Sequence, residues 1–203
     1  FGTRLAIRYR ELDGWLKNNA GPLANPYFGS GLPAGVATLP GRQSKRIGER
    51  ELMGRFTLEY DDGGPFTATA KLFAIRNKGM GAGAFAQNIG PCPADGLPRS
   101  YGVADPYGDC RADDETSYGD IPDAVAATMP RADGDGRGRD KMTAIIGSLN
   151  LGYDFGDLKF TSITGYVQHK YFYLSALDQT IYGGLTVLED NKLESLSQEL
   201  CLS

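Results

Sequence analysis

The sequence predicts an all-β chain, an antiparallel up-and-down segment of a transmembrane β-barrel with long extracellular loops. Three observations predict it. Successive runs alternate apolar and polar residues with a period of two, as strands with one apolar and one polar face do. Short turns alternate in phase with long connections, the pattern of a barrel with tight turns on one side of a membrane and long loops on the other. The polar faces are also dense in charge, as at Arg4, Arg8 and Arg10 on one short run. Alternation alone also describes an antiparallel sheet packed on a soluble core, so a soluble β domain stays open at this point.

The elements follow in order. In TRLAIRYRE, Thr3, Leu5, Ile7 and Tyr9 oppose Arg4, Ala6, Arg8 and Arg10. Asp13-Gly14 marks a turn or bulge, and the Gly-, Pro- and Asn-rich stretch from Asn18 to Ser44 reads as a long loop. LMGRFTLEY sets Leu52, Phe56, Leu58 and Tyr60 against Arg55, Thr57 and Glu59. DDGGP, Asp61 to Pro65, is a tight turn, and FTATAKLFAIR returns to complete a hairpin. A second hairpin repeats this pattern. MTAIIGSLNLGY carries Ile145, Leu149, Leu151 and Tyr153 on one side and Ser148 and Asn150 on the other. DFGD turns the chain, and LKFTSITGYVQHKYFYL comes back. Between the hairpins, Asn77 to Lys141 forms a very long connection with a short helix expected at about Asp123 to Met129. A structureless loop of that length counts against a compact soluble domain. A loop from about Ser175 to Asn191 precedes the last run. There Leu196, Gln198, Leu200 and Leu202 oppose Ser197, Glu199 and Cys201. The start at Phe1 without Met, and an ending partway through a strand, suggest a truncated chain.

Composition narrows function. The 203 residues suffice for one sizeable domain, and 28 glycines and 11 tyrosines favour turns and strands. A net charge of -4 gives no reason to expect nucleic-acid binding. The chain contains no apolar run long enough for a transmembrane helix, and Phe1 does not open a signal peptide. The single histidine, His169, has no second histidine or cysteine beside it for a metal. Asp133 to Asp140, DGDGRGRD, resembles a calcium loop only superficially, because Arg137 occupies a ligand position and the bidentate Glu is missing. KGMGAGAF, with Gly79, Gly81 and Gly83, lacks the strand–helix context of a phosphate-binding loop. The sequence offers no nucleophile with a matching base, so neither an enzyme nor a cofactor is expected. Tyr166, Tyr171, Phe172 and Tyr173 are candidates for an aromatic girdle, with strand-end packing as the alternative.

Three stretches then carry a resemblance. LAIRYRELDGWLKN, LGYDFGDLKFTSITGY and LSQELCLS, in that order, resemble strands of the barrel of TonB-dependent outer-membrane receptors. Cys201 stands where that family usually has Arg. The resemblance implies that residues 1–203 are a partial receptor barrel, about six to seven strands of a larger barrel, with the plug domain and later strands absent. It implies active uptake of a scarce nutrient: a siderophore-metal complex, cobalamin or a saccharide. The implied partners are the TonB energy-coupling complex, acting through the missing plug, the outer-membrane lipid and a small-molecule ligand. The implied location is the outer membrane of a Gram-negative cell. A passive porin-type channel and a soluble β ligand-binding module are the alternatives.

Leu5, Ile7, Tyr9, Phe56, Leu58, Leu72, Leu149, Leu151 and Leu200 are then expected to face lipid. Arg4, Arg8, Arg55, Thr57, Lys71, Asn150 and Glu199 are expected to face the lumen. Cys92 and Cys110 share the long loop, and the oxidising route to the outer surface favours a disulfide between them over two free thiols, leaving Cys201 unpaired. The loop suits a lid over a ligand. Its many aspartates disfavour an anionic ligand unless Arg99, Arg111, Arg131, Arg137 and Arg139 gather on one side.

Overall fold

The computed structural model describes residues 1–29, 36–41, 44–80, 87, 89, 92–132 and 134–203. Gly81 and Gly83 of the glycine-rich run, and Asp133 of the Asp-Gly segment, lie outside these residues. In chain order the elements are β1 (Gly2–Leu12), β2 (Leu16–Asn18), β3 (Leu23–Ala24), β4 (Thr38–Leu39), β5 (Ser44–Arg46), β6 (Gly48–Asp61) and β7 (Phe66–Met80). There follow β8 (Arg99–Ser100), β9 (Val103–Ala104), β10 (Glu115–Thr116), α1 (Asp123–Ala126), β11 (Arg139–Asp154), β12 (Lys159–Ala176) and β13 (Thr186–Leu202). The long strands form one six-stranded antiparallel sheet in the order β1-β6-β7-β11-β12-β13. Among the described residues no helix is long and apolar enough to cross a membrane, which says nothing of crossing by strands.

The two tight turns share one chemistry. After β6, Asp61 Oδ1 accepts the Gly63 N–H at 2.9 Å and Asp62 Oδ1 accepts the Gly64 N–H at 2.9 Å. After β11, Asp154 Oδ1 accepts the Gly156 N–H at 2.7 Å. These Asx turns reverse the chain within a few residues. Gly63 (φ +78°) and Gly156 (φ +94°) occupy backbone that a Cβ disfavours.

The long connections carry more structure than expected from sequence. The stretch expected as a loop from Asn18 to Ser44 contributes β3 and β4, and β2 is held between β5 and β10, the latter pair parallel. The expected helix is a single turn, α1, with further backbone bonds from Thr128 and Met129. The loop expected from Ser175 to Asn191 is shorter, because β12 runs to Ala176 and β13 begins at Thr186. Residues Glu189 to Lys192 are all polar, so no period of two announces that they pair with Lys170 to Tyr173.

Cross-strand partners lie side by side on one face of a sheet, so the registers assign every face. One rung reads Leu5–Phe56–Leu72–Gly147–Tyr166–Leu196, and the next, on the opposite face, Arg4–Thr57–Lys71–Ser148–Gly165–Ser197. All nine residues expected on the apolar face share the face of Leu5. All seven expected on the polar face share that of Arg4. The apolar face is the more open of the two. Leu5 is 66% exposed, Ile7 69% and Leu196 73%. Along β7, Leu72, Ala74, Arg76 and Lys78 are exposed, while Phe73, Ile75, Asn77 and Gly79 between them are half-buried.

The buried core lies elsewhere. Tyr118, Ile121, Ala126 and Ala132 pack on Phe172, Leu174 and Ala176 at the long-connection end of β12. Ala20, Tyr27, Leu39, Ile181 and Tyr182 form a second cluster within the connections. Among the described residues β1, β7, β11 and β13 contribute no buried apolar side chain. Replacing Gly156 by alanine should therefore strain the β11–β12 turn without disturbing any core. The expected cost is about 1–2 kcal/mol, read as a lower urea midpoint with unchanged far-UV circular dichroism. An unaltered midpoint would mean that the turn does not need this backbone.

Candidate functional site

The polar face holds a hollow of about 690 Å³ near the short-turn end. Arg4 on β1, Arg55, Thr57 and Glu59 on β6, Lys71 on β7 and Ser148 on β11 line it. Alternation along four adjacent strands brings these side chains together, as the registers Arg4↔Thr57↔Lys71↔Ser148 require. Three cations, one carboxylate and several hydroxyls suit a polar or acidic occupant. Nearer the long connections the same face carries ion pairs between β1 and β6, Arg8–Glu51 at 2.7 Å and Arg10–Glu49 at 3.0 Å, and Asn77 donates to Glu49 at 2.9 Å.

The tyrosine-rich run of β12 divides between the faces. Tyr166 and Phe172 lie on the apolar face, and Tyr171 and Tyr173 on the polar face, so the four do not form one girdle. Spacing of two on a strand dictates the split. His169, Tyr171 and Tyr173 form a ladder on the polar face, with ring centroids 6.3 Å apart at each step and rings nearly parallel. The buried Tyr173 hydroxyl has no hydrogen-bond partner among the described residues. An aromatic belt does exist, at the other end of the sheet. Phe1 meets Tyr60 at 4.9 Å, Tyr60 meets Phe66 at 5.8 Å, and Tyr153 meets Phe155 at 4.5 Å, with Phe160 paired to Tyr153. The signal was available in the sequence: an aromatic residue stands on each side of both tight turns.

Polar networks organise the connections above the sheet. Buried Asp105 accepts the backbone N–H of Tyr107 at 2.9 Å and of Ile181 at 2.8 Å. Burial pushes its carboxyl above the usual carboxylate range, opposed by these bonds and by Ser117. Asp178 accepts from Ser100 Oγ at 2.9 Å, Thr180 Oγ1 at 2.7 Å and the Gly184 N–H at 3.1 Å. Tyr182 donates to the Ala104 carbonyl at 2.6 Å, and Tyr27 to the Ser100 carbonyl. The Asp105–Ile181, Ser100–Asp178 and Tyr182–Ala104 bonds fasten the 98–118 segment to the 177–184 connection, and Tyr27 ties the first connection to the same segment. Lys17 bridges to Glu115 at 2.9 Å across the parallel pair, which holds the Glu115 carboxyl below its usual range.

Cys92 and Cys110 are joined as a disulfide, Cα atoms 6.2 Å apart, closing 18 residues of this layer. A loop of that size corresponds to about 3 kcal/mol in the chain-entropy account. Cys201 is a free, exposed thiol on the polar face, opposite Thr161. Four of the five loop arginines are engaged separately rather than gathered on one side. Arg99 pairs with Asp95 at 2.6 Å, Arg131 with Asp190 and Arg137 with Asp135 at 3.7 Å, while Arg139 donates to three backbone carbonyls. Among the described residues no group of three or more His, Cys, Asp or Glu is placed to hold a metal ion.

Comparison with protein families, with curated proteins and with solved structures finds no match for this chain.

Tyr182 gives the layer of connections a pH dependence. Burial, and then the nearby Asp105 carboxylate, push its hydroxyl up to about 12, from an ordinary value of about 10. An unfolded chain releases this proton near 10 while the folded layer holds it. Stability is thus fully present below pH 10 and falls as pH rises from about 10 to about 12. The urea midpoint should fall over that window, and Tyr182→Phe should flatten the fall. An equally steep fall in the variant would assign it to other tyrosines.

Proposed function

We propose that the chain is part of the barrel wall of an outer-membrane active-transport receptor, which takes up a scarce nutrient with energy coupled through TonB. One observation carries the reading. Across β1, β6, β7 and β11 the apolar face is continuous and largely open, on β12 and β13 polar groups enter it, and aromatic residues bound it at the short-turn end. On β7 the apolar band runs from Phe66 to Ala74, nine residues, the length a tilted strand needs to cross a bilayer. Where polar groups enter the band they satisfy one another: Thr164 donates to Gln198 at 2.6 Å, and Gln198 donates to Ser162 at 3.0 Å. Lipid demands such pairing.

In this reading the polar face is the lumen, the short turns are periplasmic and the disulfide-closed connections are extracellular. The edge strands β1 and β13 pair with further strands of a larger barrel, since open edges are not tolerated in lipid. The hollow lined by Arg4, Arg55 and Lys71 faces the plug domain, through which the TonB complex acts. The His169–Tyr171–Tyr173 ladder and the connections above it face the incoming small molecule. The barrel wall performs no covalent chemistry in this scheme and needs no cofactor.

The test is uptake. A Gram-negative host lacking its own receptors, supplied with the full-length gene, should take up iron-siderophore complexes, cobalamin or a saccharide, and deletion of TonB should abolish that uptake. Uptake that persists without TonB contradicts active transport and favours the passive channel. No uptake of any of the three classes removes the reading.

A further inference from the structure

Above the apolar band, the same outward face turns basic within two rungs. One rung reads Tyr9–Leu52–Arg76–Thr143–Lys170–Lys192, and the next Glu11–Arg50–Lys78–Lys141–Phe172–Asp190. The acids on and beside these rungs are already matched: Glu11 by Arg50 at 2.7 Å, Asp190 by Arg131, and Glu194 by Lys192 at 3.1 Å. Arg76, Lys78, Lys141 and Lys170 remain, all exposed and without a carboxylate partner among the described residues. Lys78 and Lys141 face each other directly across β7 and β11, and Arg50 flanks Lys78 on β6. Like charges directly opposed on neighbouring strands destabilise a sheet. Among the described residues no carboxylate relieves them, and Lys141 lies over the Phe172 ring at 6.0 Å.

We infer that Arg76, Lys78, Lys141 and Lys170 form a binding site for the phosphate-bearing headgroups of an anionic lipid leaflet. The inference rests on the membrane reading above and adds the lipid class and the residues that select it. The placement argues for lipid over a soluble anion. The cations sit immediately beyond Ala74 and Ile145, where the apolar band ends, so an acyl chain lying on the band would bring its headgroup phosphate among them. Cations at this depth attract anionic headgroups, and the attraction is screened by salt. On the other face, the rung between these two carries Arg10, Glu51, Asn77 and Asn191, and charge there is balanced.

The experiment uses the full-length protein refolded in a non-ionic maltoside detergent and titrated with short-chain phosphatidylglycerol or phosphatidylcholine by calorimetry. Phosphatidylglycerol should bind preferentially, and more weakly as salt rises. R76Q/K78Q/K141Q/K170Q should weaken that binding by about tenfold or more, while R8Q/R10Q, outside the hollow on the polar face, leaves it unchanged. Far-UV circular dichroism confirms that both variants keep their strands, and the salt dependence of the parent chain tests the site without any substitution. Equal losses in the two variants, salt-insensitive binding, or displacement of the lipid by inorganic phosphate at matching concentration overturns the site. Absent binding in a chain that still needs detergent for solubility overturns the site alone. A chain that is monomeric and soluble without detergent overturns the membrane reading and the site with it.

Discussion

The six-stranded sheet has an apolar face that the described chain covers only at the long-connection end of β12, where Phe172, Leu174 and Ala176 pack under the connections. Backbone pairing inside the sheet satisfies its N–H and C=O groups, but burial of Leu5, Ile7, Leu72 and Leu196 is left to something outside. Leaving such side chains in water forgoes roughly 1.5–3 kcal/mol each. A continuous face of them on one soluble monomer is an aggregation surface or an interaction surface. The other features of the sheet follow from that face. Its register is fixed, because a slip of one residue would send every arginine of β1 to the apolar side. The aromatic residues collect where the face meets the short turns, and the unpaired cations where it meets the long connections.

The usual distribution of burial is inverted as a result. Regular strands are exposed, and the buried clusters and buried carboxylate Asp105 belong mostly to the connections. Long surface segments ordinarily lack the means to hold one conformation. Here short strand pairs, the Asp105 and Asp178 networks and the Cys92–Cys110 bridge supply them. A structured layer resting on a rigid sheet suits the selection of a ligand, since binding groups work best when held by such a scaffold.

The sheet was legible in the sequence because period two is a local property. Both hairpins, their turns built on Asp and Gly, and the face of each assigned residue could be read without tertiary information. The connections were less legible. β8 and β9 are two residues long, and β2 pairs with β10 across about a hundred positions, so no local pattern announces them. Composition groups Tyr171 and Tyr173 with Tyr166 and Phe172, although adjacent residues on a strand point opposite ways. The cationic rungs were invisible for a different reason. Arg76, Lys78, Lys141 and Lys170 come from three strands and become neighbours only when the registers are known.

The most direct measurement is spin-label accessibility along these strands in the full-length protein reconstituted in lipid bilayers, with oxygen as the apolar probe and a nickel chelate as the aqueous one. Labels at Leu5, Ile7, Leu72, Leu149 and Leu200 should meet oxygen. Labels at Arg4, Arg8, Lys71, Asn150 and Glu199 should meet the chelate, with accessibility alternating at a period of two. Mixed accessibility along one strand, or both faces open to the chelate, would contradict the account.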